Sequence, residues 1–271
     1  MKKTAILLAL NAGVALGQDT PDRVTVPFSD PARPKRLQAS VLNGSITVKG
    51  YDGKEAIVEA RPESGHHKRE RADRSDGMHR IDMGGSGLVV EESDNLITVG
   101  TRAMNDNISI SIQVPYNTSV KMHDVNGGEL TVDHITGDVE LDITNGRATA
   151  THISGSAVVH ALNDRVLVTL DKVTPDKPMS FSSLNGDIDV TLPADIKAKV
   201  KLKSDNGAVY SDFDIQMDAS ARKPVVQDSK DSDRGRYRVQ FDRAMYGNIN
   251  GGGPELQLTT FNGNIYIRKA K

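Results

Sequence analysis

Three residues whose types and spacing suit metal binding are His123, Asp142 and His160, each three positions before a recurring Asn. If the segments that carry them stack as neighbouring strands about 4.8 Å apart, two imidazoles flank one carboxylate. Such a set can bind a divalent cation. Only three ligands and no supporting shell are visible, so a solvated surface row is the favoured interpretation. We therefore assign no cofactor and keep this row only as a metal candidate.

A second pair of histidines, His134 and His152, lies 18 residues apart in two similar corner sequences. Two ligands suit a metal less well than three do. A nucleophile, base and acid can also be assembled from Ser154, His152 and Asp133. Nothing that resembles a nucleophile elbow surrounds Ser154, however, and a polar residue that caps a turn is the favoured interpretation.

Paired carboxylates could serve glycoside hydrolysis if they stood about 5–10 Å apart in a cleft. Acids alternate with aliphatic residues at Asp138, Glu140 and Asp142, and again at Asp187 and Asp189. This alternation is typical of a solvated strand face. Aromatic residues, which often form platforms for sugars, make up only 4% of the chain. We predict no catalytic residue and no enzyme activity.

The glycine cluster at 251–253, followed by Pro254, could form a backbone nest for an anion. It lacks the Lys and Ser or Thr of a phosphate loop. A bend, or a close approach of two chains, is therefore the favoured interpretation.

The elements that must position these residues are marked by Asn-Gly pairs. These begin at positions 43, 126, 145, 185, 206, 250 and 262, and Asn163-Asp164 is a degenerate copy. A spacing near 20 residues is the signature of stacked repeats. Apolar residues recur six and four positions before the Asn, and three and five after it. The copy at Asn126 has one extra residue, Gly128, and the copy at Asn206 keeps Val209 but loses the next apolar position. Asn250 does not share these flanks and is predicted to lie in a loop.

Alternating apolar residues predict an all-β protein, and two architectures fit the repeat. In a β-solenoid, or single-stranded β-helix-like stack, each repeat of about 20 residues is one coil. In an antiparallel hairpin meander or sandwich, each Asn-Gly is a hairpin turn. A second corner, at 133–137 and again at 151–155, recurs with the same period. A meander does not require this, so the solenoid is favoured.

The chain divides into a leader, an arm and one repetitive domain. Residues 1–17 have the basic start, the apolar run and the small-residue cleavage site of a signal peptide. Residues 18–36 carry four prolines and are predicted to form an extended arm. Residues 37–271 form the all-β domain, with charged loop excursions at 61–86 and 218–235. The arm and the last strand pair, around Asn262, are predicted to cap the stack.

Composition restricts the partners. The chain has 34 basic and 36 acidic residues, a net charge of −2 and no cysteine. This balance gives no footprint for nucleic acid. Without cysteine there is neither a disulfide nor a lipoprotein anchor. No apolar run after the leader is long enough for a membrane span, so no transmembrane anchor is expected after leader cleavage.

The run VKMHDVNGGELTVDHITGDVELDITNGRATATHISGSAVVHAL, with SLNGDIDVTLP and LQLTTFNGNIYIRK, resembles a bacterial putative-adhesin domain family of unknown function. The resemblance implies a β-helix-like fold and a place in the periplasm, at the cell surface or outside the cell. It brings no catalytic residues. The expected function is non-enzymatic structure or recognition, with an envelope protein, a cell-surface protein or a polysaccharide as partner. The alternatives are a carbohydrate-active enzyme of the β-helix type and a periplasmic accessory protein in an envelope-stress system.

Overall fold

A computed structural model describes residues 21–62, 86–102, 107–174, 176–218, 224–229, 236–241 and 244–271. Every regular element within these ranges is a β-strand, which confirms the all-β prediction. Nineteen strands belong to one nearly closed sheet, and two form a separate hairpin. Across the described ranges, no helix has the length and apolar character needed to span a bilayer. The predicted leader and most of the 61–86 excursion lie outside the described residues.

The strands are short except for two that continue through an Asn-Gly corner. In chain order they are β1 Asp22–Pro27, β2 Lys35–Tyr51, β3 Glu55–Pro62, β4 Leu88–Ser93, β5 Leu96–Thr101, β6 Ile108–Pro115, β7 Thr118–Ile135, β8 Val139–Asn145, β9 Arg147–Gly155, β10 Ala157–Asn163, β11 Val166–Val173, β12 Met179–Asn185, β13 Ile188–Leu192, β14 Ala198–Asn206, β15 Val209–Ser211, β16 Ile215–Met217, β17 Pro224–Ser229, β18 Arg236–Phe241, β19 Met245–Ile249, β20 Glu255–Asn262 and β21 Ile265–Lys269.

Two walls of parallel strands meet at the Asn corners. The wall before the corners runs β7, β8, β10, β12, β20, β14, with each strand parallel to the next. The wall after the corners runs β7, β9, β11, β13, β21, β15 in the same way. The long strands β2 and β7 cross the corner, pair with each other in parallel and belong to both walls.

The strands that flank an Asn corner pair with other strands and not with each other. In β8, Leu141 pairs with Met122 and Val159. In β9, Ala150 pairs with Val132 and Val168. A hairpin turn at Asn145 would instead have paired Leu141 with Ala150. The hairpin-meander alternative is therefore wrong for this part of the chain.

Antiparallel strands extend the parallel walls at both ends. At one end β3 pairs with β6 and β1, and β4 pairs with β5. At the other end β19 pairs with β14 and β16. The predicted N-terminal arm thus supplies β1, whose one described partner is β3. In the 218–235 excursion, where the sequence predicts a loop, the structure has strand β17, which pairs with β18.

The last strand pair does not lie at an end of the parallel walls, so the prediction that it forms a cap is wrong. Strand β20 lies between β12 and β14, and β21 lies between β13 and β15. Leu258 of β20, for example, is the register partner of both Phe181 and Leu202. Apolar residues at the same register positions on both neighbours allow the chain to return and insert its final two strands there.

The repeat positions predicted to face inward form the core. All of the following are at most 2% exposed: Leu37, Ala39, Ile46, Val48, Val120, Met122, Leu130, Val132, Val139, Leu141, Ala148, Ala150, Ala157, Val159, Val166, Val168, Met179, Phe181, Ile188, Val190, Val200, Leu202, Leu256, Leu258, Ile265 and Ile267. Because side chains alternate across a strand, the intervening residues face solvent. The predicted inward assignment is confirmed at these positions.

The corner asparagines are joined by side-chain hydrogen bonds across the wall. The amide of Asn163 donates to Asn145 at 2.9 Å, and the amide of Asn185 donates to Asn163 at 2.8 Å. The same bond links Asn145 to Asn126, Asn262 to Asn185, and Asn206 to Asn262, at 2.8–3.2 Å. We call this row the asparagine ladder. It connects corners that are up to 77 residues apart in the chain.

We expect Asn163→Ala to lower the free energy of unfolding by about 1–2 kcal/mol, because it removes two exposed amide hydrogen bonds. Urea denaturation measures this loss as a lower midpoint with an unchanged slope. The matched control is Asn206→Ala, at the end of the ladder, which removes one such bond. It should lose about half as much. Equal losses in the two variants would contradict a role for the ladder.

Candidate functional site

A row of exposed apolar side chains lies beside the asparagine ladder. Leu162, Leu184 and Phe261 each directly precede a corner Asn, on the adjacent strands β10, β12 and β20. Their exposed fractions are 42%, 42% and 47%. Adjacent strands lie about 4.8 Å apart, so the three side chains form one continuous apolar surface. We call it the corner row.

The corner row forms one side of a shallow groove of about 500 Å³. The other side is polar and is formed by the outward residues two positions earlier on the strands. These residues are Asp142, His160, Ser182 and Thr259. The groove therefore offers an apolar strip next to hydrogen-bonding groups. Binding sites commonly combine these two kinds of surface.

The repeat pattern of the sequence does not by itself predict the corner row. The sequence nevertheless contains a sign of it, because Leu42, Leu162 and Leu184 each directly precede a corner Asn. A single outward Leu is ordinary on a protein surface. The row becomes apparent only when strand order shows that β20, with Phe261, follows β12.

The predicted metal row is aligned as the spacing required. His123 and Asp142 are register partners, as are Asp142 and His160. Nδ1 of His123 lies 3.5 Å from Oδ2 of Asp142, whereas Nδ1 of His160 lies 2.6 Å from Oγ of Ser182. The three side chains are neighbours, but His123 contacts Asp142 whereas His160 contacts Ser182. Metal binding by this row stays a prediction.

A tighter group forms at the second corner, where Asp133 lies between two histidines. Oδ2 of Asp133 is 2.8 Å from Nδ1 of His134, and Oδ1 is 2.9 Å from Nδ1 of His152. The two imidazole rings stack, with centroids 4.3 Å apart. Partial burial raises the pKa of Asp133, but hydrogen bonds with His152, His134 and Thr151 outweigh it and hold the pKa at about 2. We call this group the corner histidine cluster.

Ser154, the nucleophile of the disfavoured triad hypothesis, is not part of that cluster. His152 and Asp133 form the base–acid contact that a triad needs. Ser154 is half-buried, and no hydrogen bond joins it to His152 within the described part of the chain. The described geometry thus brings together two members of the hypothetical triad and leaves out the third.

The alternating acids are engaged by neighbouring side chains and backbone groups. Partial burial raises the pKa of Asp138, but Lys177 and Ser156 outweigh it and keep the pKa below its usual value. Lys177 Nζ lies 2.8 Å from both oxygens of Asp138. The remaining contacts are Lys121 with Glu140 at 2.7 Å, Arg268 with Asp189 at 2.7 and 2.9 Å, and the backbone N–H of Asn264 with Asp187 at 2.7 Å.

The glycine cluster forms the bend that the sequence favoured. Asn250, Gly251 and Gly252 have φ angles of 48°, 86° and 84°. The N–H of Gly252 donates to the carbonyl of Ile249, and the Asn250 amide donates to the carbonyl of Ile196. A cavity of about 680 Å³ lies beside the bend, and acidic and basic residues both line it.

The solved structures that are similar to this chain include two bacterial proteins. One is described as a putative cell adhesion protein from Clostridium sporogenes, with 12% identity and a TM-score of 0.47, over 93% of this chain and 100% of that one. The other is described as a putative adhesin from Bacteroides fragilis, with 9% identity and a TM-score of 0.37, over 93% and 98%. No family model and no curated protein matches the chain. Similarity at this level carries no argument about function.

Proposed function

We propose that this chain is an exported, non-enzymatic protein of the bacterial envelope or surface, with an adhesin-like recognition role. The observation that carries the proposal is the corner row, in which Leu162, Leu184 and Phe261 expose one continuous apolar surface. Contiguous apolar surface with a polar rim is typical of interaction sites. The partner is a cell-surface protein, an envelope protein or a polysaccharide.

Contacts of the alternating acids support a binding role over the carbohydrate-active alternative. A general acid and a nucleophile must both approach the scissile bond. Asp138 is held by Lys177, Glu140 by Lys121 and Asp189 by Arg268. These pairs have the character of a solvated strand face.

We further propose that the parallel walls form a β-solenoid with one coil for each Asn corner. Supporting this, hydrogen-bonded corner asparagines are separated by 19, 18 and 22 residues along Asn126, Asn145, Asn163 and Asn185. In such a stack each coil places one side chain at each outward position. Equivalent side chains of successive coils then lie side by side and form a row, as they do in the corner row.

The recognition role is tested by measuring how the mature chain binds intact bacterial cells and isolated envelope polysaccharide. The test variant is Leu162→Ser/Leu184→Ser/Phe261→Ser. The matched control is Val24→Ser/Met217→Ser, which replaces similarly exposed apolar residues on the outlying strands β1 and β16. We expect the test variant to bind at least about tenfold more weakly, because it removes the apolar surface. The control should bind like the wild type.

Two outcomes would count against this role. Equal binding by the wild type and the triple variant would show that the corner row does not carry recognition. Release of reducing sugar ends from the polysaccharide would favour the enzyme alternative.

Export has its own test. We propose cleavage after Gly17, which leaves Gln18 as the first residue. N-terminal sequencing of the protein from fractionated cells should begin at Gln18 in the periplasmic, surface or secreted fraction. A cytoplasmic protein that retains Lys2 and Lys3 would contradict export.

A further inference from the structure

The corner histidine cluster gathers three potential metal ligands from two neighbouring strands. Asp133 and His134 lie on β7, and His152 lies on the parallel neighbour β9. One oxygen or nitrogen atom from each residue lies within 4.8 Å of the other two. No other set of three potential ligands in the described ranges meets that distance.

Both imidazoles are directed toward the carboxylate of Asp133. His134 and His152 have φ angles of 57° and 53°, in the left-handed region that non-glycine residues rarely occupy. Asp133 pairs with Thr151 and Ile135 pairs with Ile153 without a shift in register, so the two histidines lie opposite each other on β7 and β9. Backbone outliers of this kind cluster at ligand-binding and active sites, and here two of them lie side by side.

The arrangement is confined to the two strands that carry the histidines. In β11, the next strand, Val168 pairs with Ala150 and Leu170 pairs with Ile153. Between these two pairs β11 has one residue, whereas β9 has two, Thr151 and His152. The corner fold therefore does not require a left-handed residue at this position. Its presence in β7 and β9 coincides with the two histidines.

The ligand chemistry fits a first-row transition metal. Two imidazole nitrogens and one carboxylate oxygen form a common three-residue zinc set, with the fourth position open. Ligands of a tetrahedral zinc lie about 3.3 Å apart, given bonds of about 2.0–2.1 Å. The carboxylate–imidazole contacts of 2.8 and 2.9 Å are shorter than this separation, and the three potential ligand atoms all lie within 4.8 Å of one another. Ions that prefer oxygen, such as calcium, suit this set poorly.

We propose that Asp133, His134 and His152 form a binding site for a divalent transition-metal ion, with zinc as the best-fitting ion. The ion joins β7 to β9 at the second corner. This site is separate from the groove at the corner row, so its test is independent of the recognition role.

The test is titration calorimetry of the tag-free mature chain with zinc chloride in a buffer that does not chelate metal. We expect one zinc per chain and a melting temperature that rises with zinc and falls back with EDTA, because the ion binds the folded state. Calcium should give neither effect. The absence of zinc binding to the wild type would overturn the proposal.

Variants assign the ligands. His134→Asn and His152→Asn remove an imidazole and keep a residue that tolerates the left-handed backbone. Each should weaken zinc binding at least about tenfold. Asp133→Asn provides a third variant if one of these fails to fold, as judged by its metal-free melting curve. The matched control is His123→Asn/His160→Asn, which removes two half-exposed imidazoles from the other corner and should bind zinc like the wild type.

Each pattern of results decides the proposal. Wild-type affinity in both cluster variants would overturn it. Loss of binding in the His123→Asn/His160→Asn control, with the cluster variants unaffected, would also overturn it and would place the ion at the row predicted from sequence.

Discussion

Raising the pH from about 4 to about 8 is expected to cost up to about 4 kcal/mol of folding stability through Asp124 alone. This side chain is fully buried, and no side chain among the described residues donates a hydrogen bond to its carboxylate oxygens. Burial raises its pKa from 3.8 to about 7, although the backbone groups of Val125 and Asn126 lower it in part. The folded protein therefore keeps this carboxyl protonated in a range where the unfolded chain ionises it.

Stability falls with rising pH because the folded and unfolded states bind different numbers of protons. Between pH 3.8 and about 7 the folded state holds a proton that the unfolded state has released. Stability then falls by about 1.4 kcal/mol for each pH unit. The contribution is fully present below pH 3.8 and is lost once the pH exceeds about 7.

Equivalent positions show why a neutral group suits this place. Two residues before other corner asparagines stand Ser183, Ser204 and Thr260. Their hydroxyls donate to backbone carbonyls of the neighbouring corner at 3.0, 2.8 and 2.9 Å. A protonated carboxyl can donate as a hydroxyl does, but a carboxylate cannot.

The measurement is urea denaturation of the wild type and Asp124→Asn across this pH range. The other groups titrate in both proteins, so their contribution cancels when the free energies of unfolding of the two proteins are subtracted. We expect the variant to match the wild type near pH 4 and to be more stable by up to about 4 kcal/mol near pH 8. A difference that is constant with pH would refute the raised pKa.

Gly44→Ala is expected to destabilise the protein by about 3 kcal/mol or more. The glycine of this Asn-Gly corner has a φ angle of 134°, which L side chains rarely adopt. A Cβ placed there would lie 1.9 Å from the carbonyl oxygen of Ile108, on the paired strand β6. Both the strained backbone and the backbone contact must then be relieved by movement of a strand.

The matched control is Gly128→Ala, in the corner that carries one residue more than the others. A Cβ at Gly128 would meet nothing within 4 Å. We expect a change of at most about 1 kcal/mol, in either direction. Denaturant midpoints of the two variants provide the comparison. Similar losses at Gly44 and Gly128 would mean that loss of glycine flexibility, and not the contact with Ile108, sets the effect.

The sequence by itself determined the strands and the faces they bury. Apolar residues at fixed offsets from each Asn, such as Leu141 and Ala150, predicted inward positions that proved fully buried. This worked because side-chain alternation and corner chemistry are local properties of the chain. The same periodicity aligned His123, Asp142 and His160 before any coordinates were considered.

Strand order was decided only by the tertiary structure. Neighbouring units offer almost equivalent edges, so nothing local states that β20 inserts between β12 and β14. Nor does a local pattern announce that antiparallel strands extend both ends of the walls, or that β17 pairs with β18. Each of these depends on which edges remain available when distant segments meet.

Side-chain direction and protonation also required the tertiary structure. The sequence places His160 beside Asp142, but in the structure Nδ1 of His160 contacts Oγ of Ser182, which lies 22 residues away in the chain. It gave His134 and His152 as a pair, and the left-handed turn at both residues brings Asp133 between them. Asp124 follows the same logic, since alternation places it inward and only the surrounding core makes it a neutral acid. Periodicity is set by neighbours along the chain, whereas donor direction and dielectric environment are set by neighbours in space.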